Sequence, residues 1–330
     1  MSATPKLVTI FGGSGFVGRY IVRRMAKEGW RVRVAVRRPN EAIFVKTYGD
    51  VGQIEPLLAN IRDEASTRAA IIGSDAVVNC VGILNETSRQ KFNTVQTEGA
   101  GRIARIAAEC GVTNFVHFSA IGADSNSESN YSKSKAEGES LVRAAFKSAI
   151  ILRPSIVFGN EDQFFNRFAT MAKLSPIVPL VGSETKFQPV YVDDLAAAAV
   201  KAITENVKPG IYELGGPEVA TFKELIVKLM GIIRRKRLIV NVPFFAALIQ
   251  AYAFDMAQKL SLGLFTNSIL TRDQVRSLKS DNVVSSRGKG FKELNIEPIA
   301  MDAILEEYLY RHRPYGQYTE LTETAGNLKL

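Results

Sequence analysis

Leu7-Val8-Thr9-Ile10-Phe11 runs into Gly12-Gly13-Ser14-Gly15-Phe16-Val17-Gly18, after which Val17, Ile21, Val22 and Met25 recur at helical spacing. An apolar, β-branched strand thus meets glycines free to adopt positive φ, and then a helix. Gly12 permits the tight turn, Gly15 lets the backbone approach a pyrophosphate, and Gly18 lets the helix pack closely on the strand. The helix start offers N–H groups and partial positive charge to phosphates. A glycine-rich turn without a ligand has a similar local pattern. Agreement of strand, turn and helix favours a dinucleotide site built by Gly12, Ser14, Gly15, Phe16, Val17 and Gly18.

The next strand, Arg31 to Val36, ends in Arg37-Arg38-Pro39. An NAD site usually carries Asp or Glu here to hold the ribose 2′-hydroxyl, and that carboxylate would repel a 2′-phosphate. Two guanidiniums instead offer bidentate donors to phosphate, so Arg37 and Arg38 predict NADP(H) over NAD(H).

Ile54 to Leu58, Ala76 to Val81 and Asn114 to Ser119 read as further strands, with helical patterns at Glu64 to Ile72 and Thr97 to Glu109 between them. This alternation predicts an α/β fold: a Rossmann-type doubly wound parallel sheet with a smaller C-terminal α/β lobe. Ligand chemistry is expected at the strand ends, which are Gly12, Arg37, Asn60, Val81-Gly82 and Ser119 in turn. Beyond about Gly159 the alternation fades. Residues 1–160 are expected to form the NADP(H)-binding domain, with 186–205 returning to it, and 161–330 a smaller lobe for docking or substrate. Thr221-Phe222-Lys223-Glu224 reads as a capping box opening a helix to Met230.

The 330-residue chain is 46% hydrophobic, which suits a globular protein with a sizeable core. Cys80 and Cys110 form no C-x-x-C and read as reduced thiols. His117 and His312 lie far apart, so no metal site is expected. The net charge of +9 is spread along the chain, and residues 206–330 hold 17 basic against 13 acidic side chains. Arg234-Arg235-Lys236-Arg237 lacks the interleaved aromatics of a single-strand groove, so nucleic acid is not an expected partner. A solvated loop, an acidic partner and anionic lipid headgroups all fit that cluster. Pro243 to Phe265 is the most apolar stretch, yet Gln250, Asp255, Gln258 and Lys259 interrupt it. An amphipathic helix against the core, a partner or the membrane surface fits better than a spanning one. The first strand begins within a few residues of Met1, so no cleavable signal peptide is expected.

Tyr131-Ser132-Lys133-Ser134-Lys135 opens another helical pattern. Tyr131 and Lys135 are four apart and share a helix face. A neighbouring ammonium is expected to lower the tyrosine's pKa and fit it for proton exchange with a carbonyl–alcohol pair. A surface tyrosine with a lysine one turn on has the same spacing.

Taken with the glycine turn, Asn60-Ile61-Arg62-Asp63, Tyr131-x-x-x-Lys135, Arg153-Pro154-Ser155-Ile156-Val157-Phe158-Gly159 and Gln188-Pro189-Val190-Tyr191-Val192-Asp193-Asp194 resemble the extended and atypical short-chain dehydrogenase/reductases, in the family's order over about the first two thirds of the chain. The resemblance implies that Asn60 and Ile61 lie near the adenine, Tyr131 and Lys135 at the nicotinamide ribose, and the Pro154–Gly159 loop, with Ile156, near the nicotinamide. One position departs. Active members carry a serine that aligns with Ala120, where a hydroxyl would stabilise a developing oxyanion. Ser119 points to the other face of its strand. Ser125, Ser127 and Ser129 are the loop hydroxyls that could replace it.

A narrower resemblance continues into the second lobe. Val142 to Phe146, Arg153 to Phe164, Leu270-Thr271-Arg272-Asp273-Gln274-Val275 and Arg311-His312-Arg313 are similar to the NADPH-binding accessory subunits of respiratory complex I. That resemblance implies partnership with other complex I subunits, NADPH held as a structural element, and vestigial roles for Tyr131 and Lys135. It implies a peripheral place on the cytoplasmic face of the bacterial inner membrane, or on the matrix side of the mitochondrial inner membrane for a processed chain, with residues 234–265 available for anionic lipid. The alternative is a working NADP-dependent reductase, dehydrogenase or epimerase with Tyr131 as acid/base and Lys135 as its support.

Overall fold

A computed structural model describes residues 5–87, 89–260, 267, 270–286, 288–318 and 324 of the chain, the side chains of 259 and 260 excepted. The first half alternates β1 (Leu7–Phe11), α1 (Phe16–Lys27), β2 (Arg31–Val36), β3 (Ile54–Leu58), α2 (Glu64–Ile71), β4 (Ala76–Asn79), α3 (Glu98–Glu109), β5 (Asn114–Phe118), α4 (Asn130–Ala145) and β6 (Ile150–Pro154). The second continues through β7 (Val157–Phe158), α5 (Phe165–Leu174), β8 (Ile177–Val181), β9 (Lys186–Phe187), β10 (Val190–Tyr191), α6 (Val192–Thr204), β11 (Gly210–Leu214), β12 (Ala220–Thr221), α7 (Phe222–Ile232), β13 (Leu238–Val242), α8 (Phe244–Leu260), α9 (Arg272–Ser277) and α10 (Asp302–Leu309).

Seven strands pair in parallel in the order β11-β6-β5-β4-β1-β2-β3. This is the doubly wound sheet that the alternation predicted. The order reverses between β1 and β4, which opens a crevice beyond their carboxyl ends. All four β4 residues are buried, as are Val8, Thr9, Ile10 and Phe11 of β1, because helices cover both faces. Ile21, Val22 and Met25 of α1 pack with Leu195, Ala196 and Ala199 of α6 on one face. Ile71, Ile103, Ile106 and Val142 cover Phe11, Val77 and Phe115 on the other. Pro56 is accommodated in β3 because that strand lies at the sheet's edge.

Although the alternation fades after Gly159, the sheet takes its last strand from Gly210–Leu214, joined to β6 in parallel after α6 crosses the α1 face. The second lobe has a separate core in which Phe158, Phe165, Phe187, Phe222, Leu229 and Leu305 meet. Thr221 and Glu224 form the expected capping box, and α7 runs from Phe222 to Ile232. No helix among the described residues is long and apolar enough to cross a membrane.

Candidate functional site

A groove of about 530 Å³ follows the carboxyl ends of β1 to β4, lined by Gly12, Ser14, Gly15, Arg37, Arg38, Asn60, Ile61, Val81 and Gly82 among others. Nine of the residues singled out in the sequence thus meet in one place. Gly12 has φ +77°, the left-handed region that favours glycine. A Cβ at Gly15 would stand 3.1 Å from the Gly12 carbonyl oxygen, and one at Gly18 only 2.3 Å from it. Gly18 is therefore a packing residue beneath the turn. Gly15 N-caps α1 with no side-chain bond, and no acidic residue occupies the first turn, so the helix start and its dipole face the groove. Phe16 and Val17 begin that turn; the Phe16 ring packs edge-on against Tyr20.

The two arginines after β2 differ. Arg38 pairs with Glu41 at 2.9 Å, with both side chains exposed. Arg37 has no ion pair among the described residues, so its charge faces the groove uncompensated. Arg62 is a third guanidinium on the lining, donating from Nη1 to the Arg89 carbonyl at 2.8 Å. Its signal was a cation two residues after Asn60 at a strand end.

Beyond Gly82 the site is buried. Lys135, 5% exposed, donates from Nζ to the Phe118 carbonyl at 3.2 Å, and a Cβ on Gly82 would come 3.4 Å from that Nζ. Burial pushes Lys135 down to about 8. Tyr131 stacks edge-on with Phe92 at 5.8 Å, and the Lys135 ammonium lies 6.0 Å from its ring centroid. The expected lowering of the tyrosine does not occur: burial, which disfavours the phenolate, pushes Tyr131 up to about 12. His117 is held down to about 3 by burial and by Lys135, so it is neutral, and its Nδ1 meets Asn79 Nδ2 at 3.1 Å. His117 Nε2, Ser119 Oγ and Gln96 Oε1 are buried without a hydrogen-bond partner. Gln96 was missed in the sequence; a π-helical turn over Asn93–Thr97 carries it, within 3.9 Å of the point a Gly82 Cβ would occupy.

Pro154 closes β6, and Ile156 packs against the second lobe's aromatic core. Arg153 braces α4 through a bidentate pair with the buried Glu139, at 2.8 and 2.7 Å. Two of the loop serines are committed elsewhere. Ser129 caps α4 by accepting from the Ser132 N–H, and Ser127 Oγ accepts from the Ser129 N–H at 3.1 Å. Local backbone satisfaction therefore holds both away from the missing Ala120 hydroxyl.

Residues 8–215 match the family described as the NAD dependent epimerase/dehydratase family. This chain belongs to that family. Membership accords with the motifs from Gly12 to Asp194. Among its relatives, mitochondrial NADH dehydrogenase (ubiquinone) 1 alpha subcomplex subunit 9 of Arabidopsis thaliana is 34% identical over 316 residues, covering 94% of this chain and 79% of the relative. The mitochondrial NADH-ubiquinone oxidoreductase 40 kDa subunit of Neurospora crassa is 32% identical over 311 residues, covering 94% and 80%. Both matches run through the second lobe, as the narrower resemblance did. An NADPH-dependent quinone oxidoreductase from Escherichia coli, complexed with NADPH, shares the fold at TM-score 0.69 and 19% identity over 92% of this chain and 98% of that one.

The family implies a nicotinamide dinucleotide, and the residues present fit one at both ends. The glycine turn leaves room and bare N–H groups for a pyrophosphate. The Ser119 Oγ and Gln96 Oε1 atoms, buried without a hydrogen-bond partner, are polar atoms that a ligand with hydroxyls would satisfy.

Proposed function

We propose that this chain is an accessory subunit of respiratory complex I that retains NADP(H) as a structural element, with little chemistry of its own. Similarity to NADH dehydrogenase subunits across 94% of the chain carries this reading. Gly12, Ser14, Gly15 and the start of α1, with Phe16, Val17 and Gly18 behind them, hold the pyrophosphate. Arg37, whose charge has no ion-pair partner among the described residues, takes the 2′-phosphate, with Arg38 beside it. Asn60 and Ile61 flank the adenine, Val81 and Gly82 line the path inward, and Ser119, Tyr131 and Lys135 receive the inner ribose. The Pro154–Ile156 link stands at the nicotinamide. A bound nicotinamide supplies a hydride donor or acceptor. Tyr131 keeps its proton and Ala120 offers no hydroxyl, so these side chains favour retention over turnover.

In this reading residues 1–160 with 186–205 hold the nucleotide and 161–330 dock. The docking lobe exposes Leu238, Val240, Phe245 and Ile249 next to the basic run Arg234–Arg237, a combination suited to anionic lipid at a peripheral membrane position. Residues 261–265 of the proposed contact lie outside the described residues. The membrane face is the cytoplasmic side of a bacterial inner membrane or the matrix side of a mitochondrial one.

The test is purification from native membranes under conditions that keep the nucleotide. Co-migration with a large NADH:quinone oxidoreductase, tightly held NADPH that added carbonyls do not oxidise, and intact assembly in Tyr131→Phe are expected. A free protein that turns over NADPH with a ketone or nucleotide-sugar, and loses this with Tyr131→Phe, overturns the proposal.

A further inference from the structure

The helix that carries Tyr131 and Lys135 is closed at its start by the second lobe. The Asp273 carboxylate on α9 accepts hydrogen bonds from the Asn130 N–H at 2.6 Å, the Tyr131 N–H at 3.1 Å and the Ser129 hydroxyl at 2.8 Å. Ser129 is 1% exposed, and its oxygen also accepts from Ser277 Oγ at 3.0 Å. Three donors at the first turn of α4, of which the Ser129 hydroxyl belongs to a buried residue, therefore depend on one side chain 142 to 144 residues away. A carboxylate suits this place twice over, since it supplies several acceptor lone pairs and a negative charge at the positive end of the helix dipole.

Two other bonds tie the same lobe to the loop after Gly82. Gln274 Nε2 donates to Asn85 Oδ1 at 2.9 Å, and Gln258 Nε2 to the Glu86 carbonyl at 3.3 Å. On its other side α9 is fastened to α8. Val275 packs with Ala247 and Ala251, Arg272 pairs with Asp255 at 2.8 Å, and the Arg272 guanidinium lies 5.3 Å from the centre of the Tyr252 ring. The start of α4 and the loop after Gly82, which flank Lys135, are thus hydrogen-bonded to α9 and to α8, and α9 in turn packs on α8.

We infer that Asp273 is a positioning residue that links the order of α8 to retention of the nucleotide. With Asp273 in place, α4 presents Tyr131 and Lys135 to the groove beyond Gly82, and a nucleotide seated there stabilises the arrangement that also orders α8 and α9. By reciprocity, anything that orders α8 tightens the nucleotide. The inference rests on the NADP(H) reading of the groove and adds to it a direction of control.

The experiment is hydrogen–deuterium exchange on the full chain with and without NADPH, together with the NADPH Kd. In the wild type, NADPH is expected to slow exchange over 12–18, 130–145 and 244–260. Asp273→Asn, which turns an amide NH2 toward the donors, is expected to raise the Kd about tenfold. It should also abolish the response at 244–260 while keeping that at 12–18. Asp273→Glu, which keeps the charge and acceptors, is expected to restore part of both. If Asp273→Asn does not fold, Ser129→Gly removes one of the three contacts at small cost to the cap, and a weaker Kd with a reduced α8 response is expected. An unchanged α8 response in the variants, or protection at 12–18 with none at 244–260 in the wild type, overturns the linkage alone. No protection at 12–18 in the wild type overturns the nucleotide reading and the linkage with it.

Discussion

At the outer end of the groove, glycines and the bare first turn of α1 meet solvent; at the inner end, Lys135, His117, Ser119 and Gln96 are buried out of water. The outer end is built of backbone and asks only that Cβ atoms be absent. The inner end is built of polar side chains whose burial is costly until something pairs with them. On the proposed reading, such a site is already shaped for phosphate at its outer end and is completed at its inner end by the ligand itself. Binding only to the folded state then stabilises the fold, by about 2.7 kcal/mol at a ligand concentration of 100 Kd.

The largest effect is expected where backbone meets backbone. Gly18→Val places a Cβ 2.3 Å from the Gly12 carbonyl oxygen and 2.7 Å from the Gly13 Cα, neither of which can rotate away. A loss of about 3 kcal/mol in chemical denaturation and of NADPH binding by calorimetry is expected. A stable variant that still binds NADPH would break the account of the outer end.

Next comes the buried ammonium. Lys135 falls from its ordinary 10.5 to about 8 through burial. Between those values the unfolded chain holds a proton that the folded chain has released, so stability rises with pH across that window, by about 3 kcal/mol in all. Because the buried Cys80 thiol, pushed up by burial, contributes a falling slope over the same range, the slope is read as the wild-type value minus that of Lys135→Met in urea unfolding at pH 7.5, 9 and 10, and Lys135→Met also weakens NADPH binding. Equal slopes would mean that Lys135 is not desolvated as described.

The smallest effect sharpens the outer end. Arg37→Ala is expected to weaken NADPH by about tenfold, roughly 1.4 kcal/mol, and to leave NADH binding unchanged. Arg38→Ala is expected to cost less, because Glu41 already engages that guanidinium. Equal losses for NADPH and NADH in titrations of Arg37→Ala would remove the argument for a 2′-phosphate.

The outer end was legible because its parts are local. Gly12, Gly15 and Gly18 sit at fixed offsets, and Arg37 follows directly from the alternating strand before it. The inner end was legible only in part. Tyr131 and Lys135 announce themselves by spacing, yet burial sets their protonation, and spacing carries no measure of burial. Gln96 was hidden because a π-helical turn, not a regular helix, aims it inward. Asp273 stood in a quoted motif, but its bonds to Asn130 and Tyr131 cross more than 140 residues.

By itself the sequence determined the doubly wound sheet, the position of the groove and the lining from Gly12 to Gly82, since strand periodicity, glycine freedom and charge at strand ends act over a few residues. Only the tertiary structure decided that Gly210–Leu214 completes the sheet, that Arg38 is paired while Arg37 is not, and that α9 of the second lobe caps the Tyr131 helix. Those outcomes depend on which distant surfaces exclude water from one another. Desolvation is a property of the packed chain, and no local pattern encodes it.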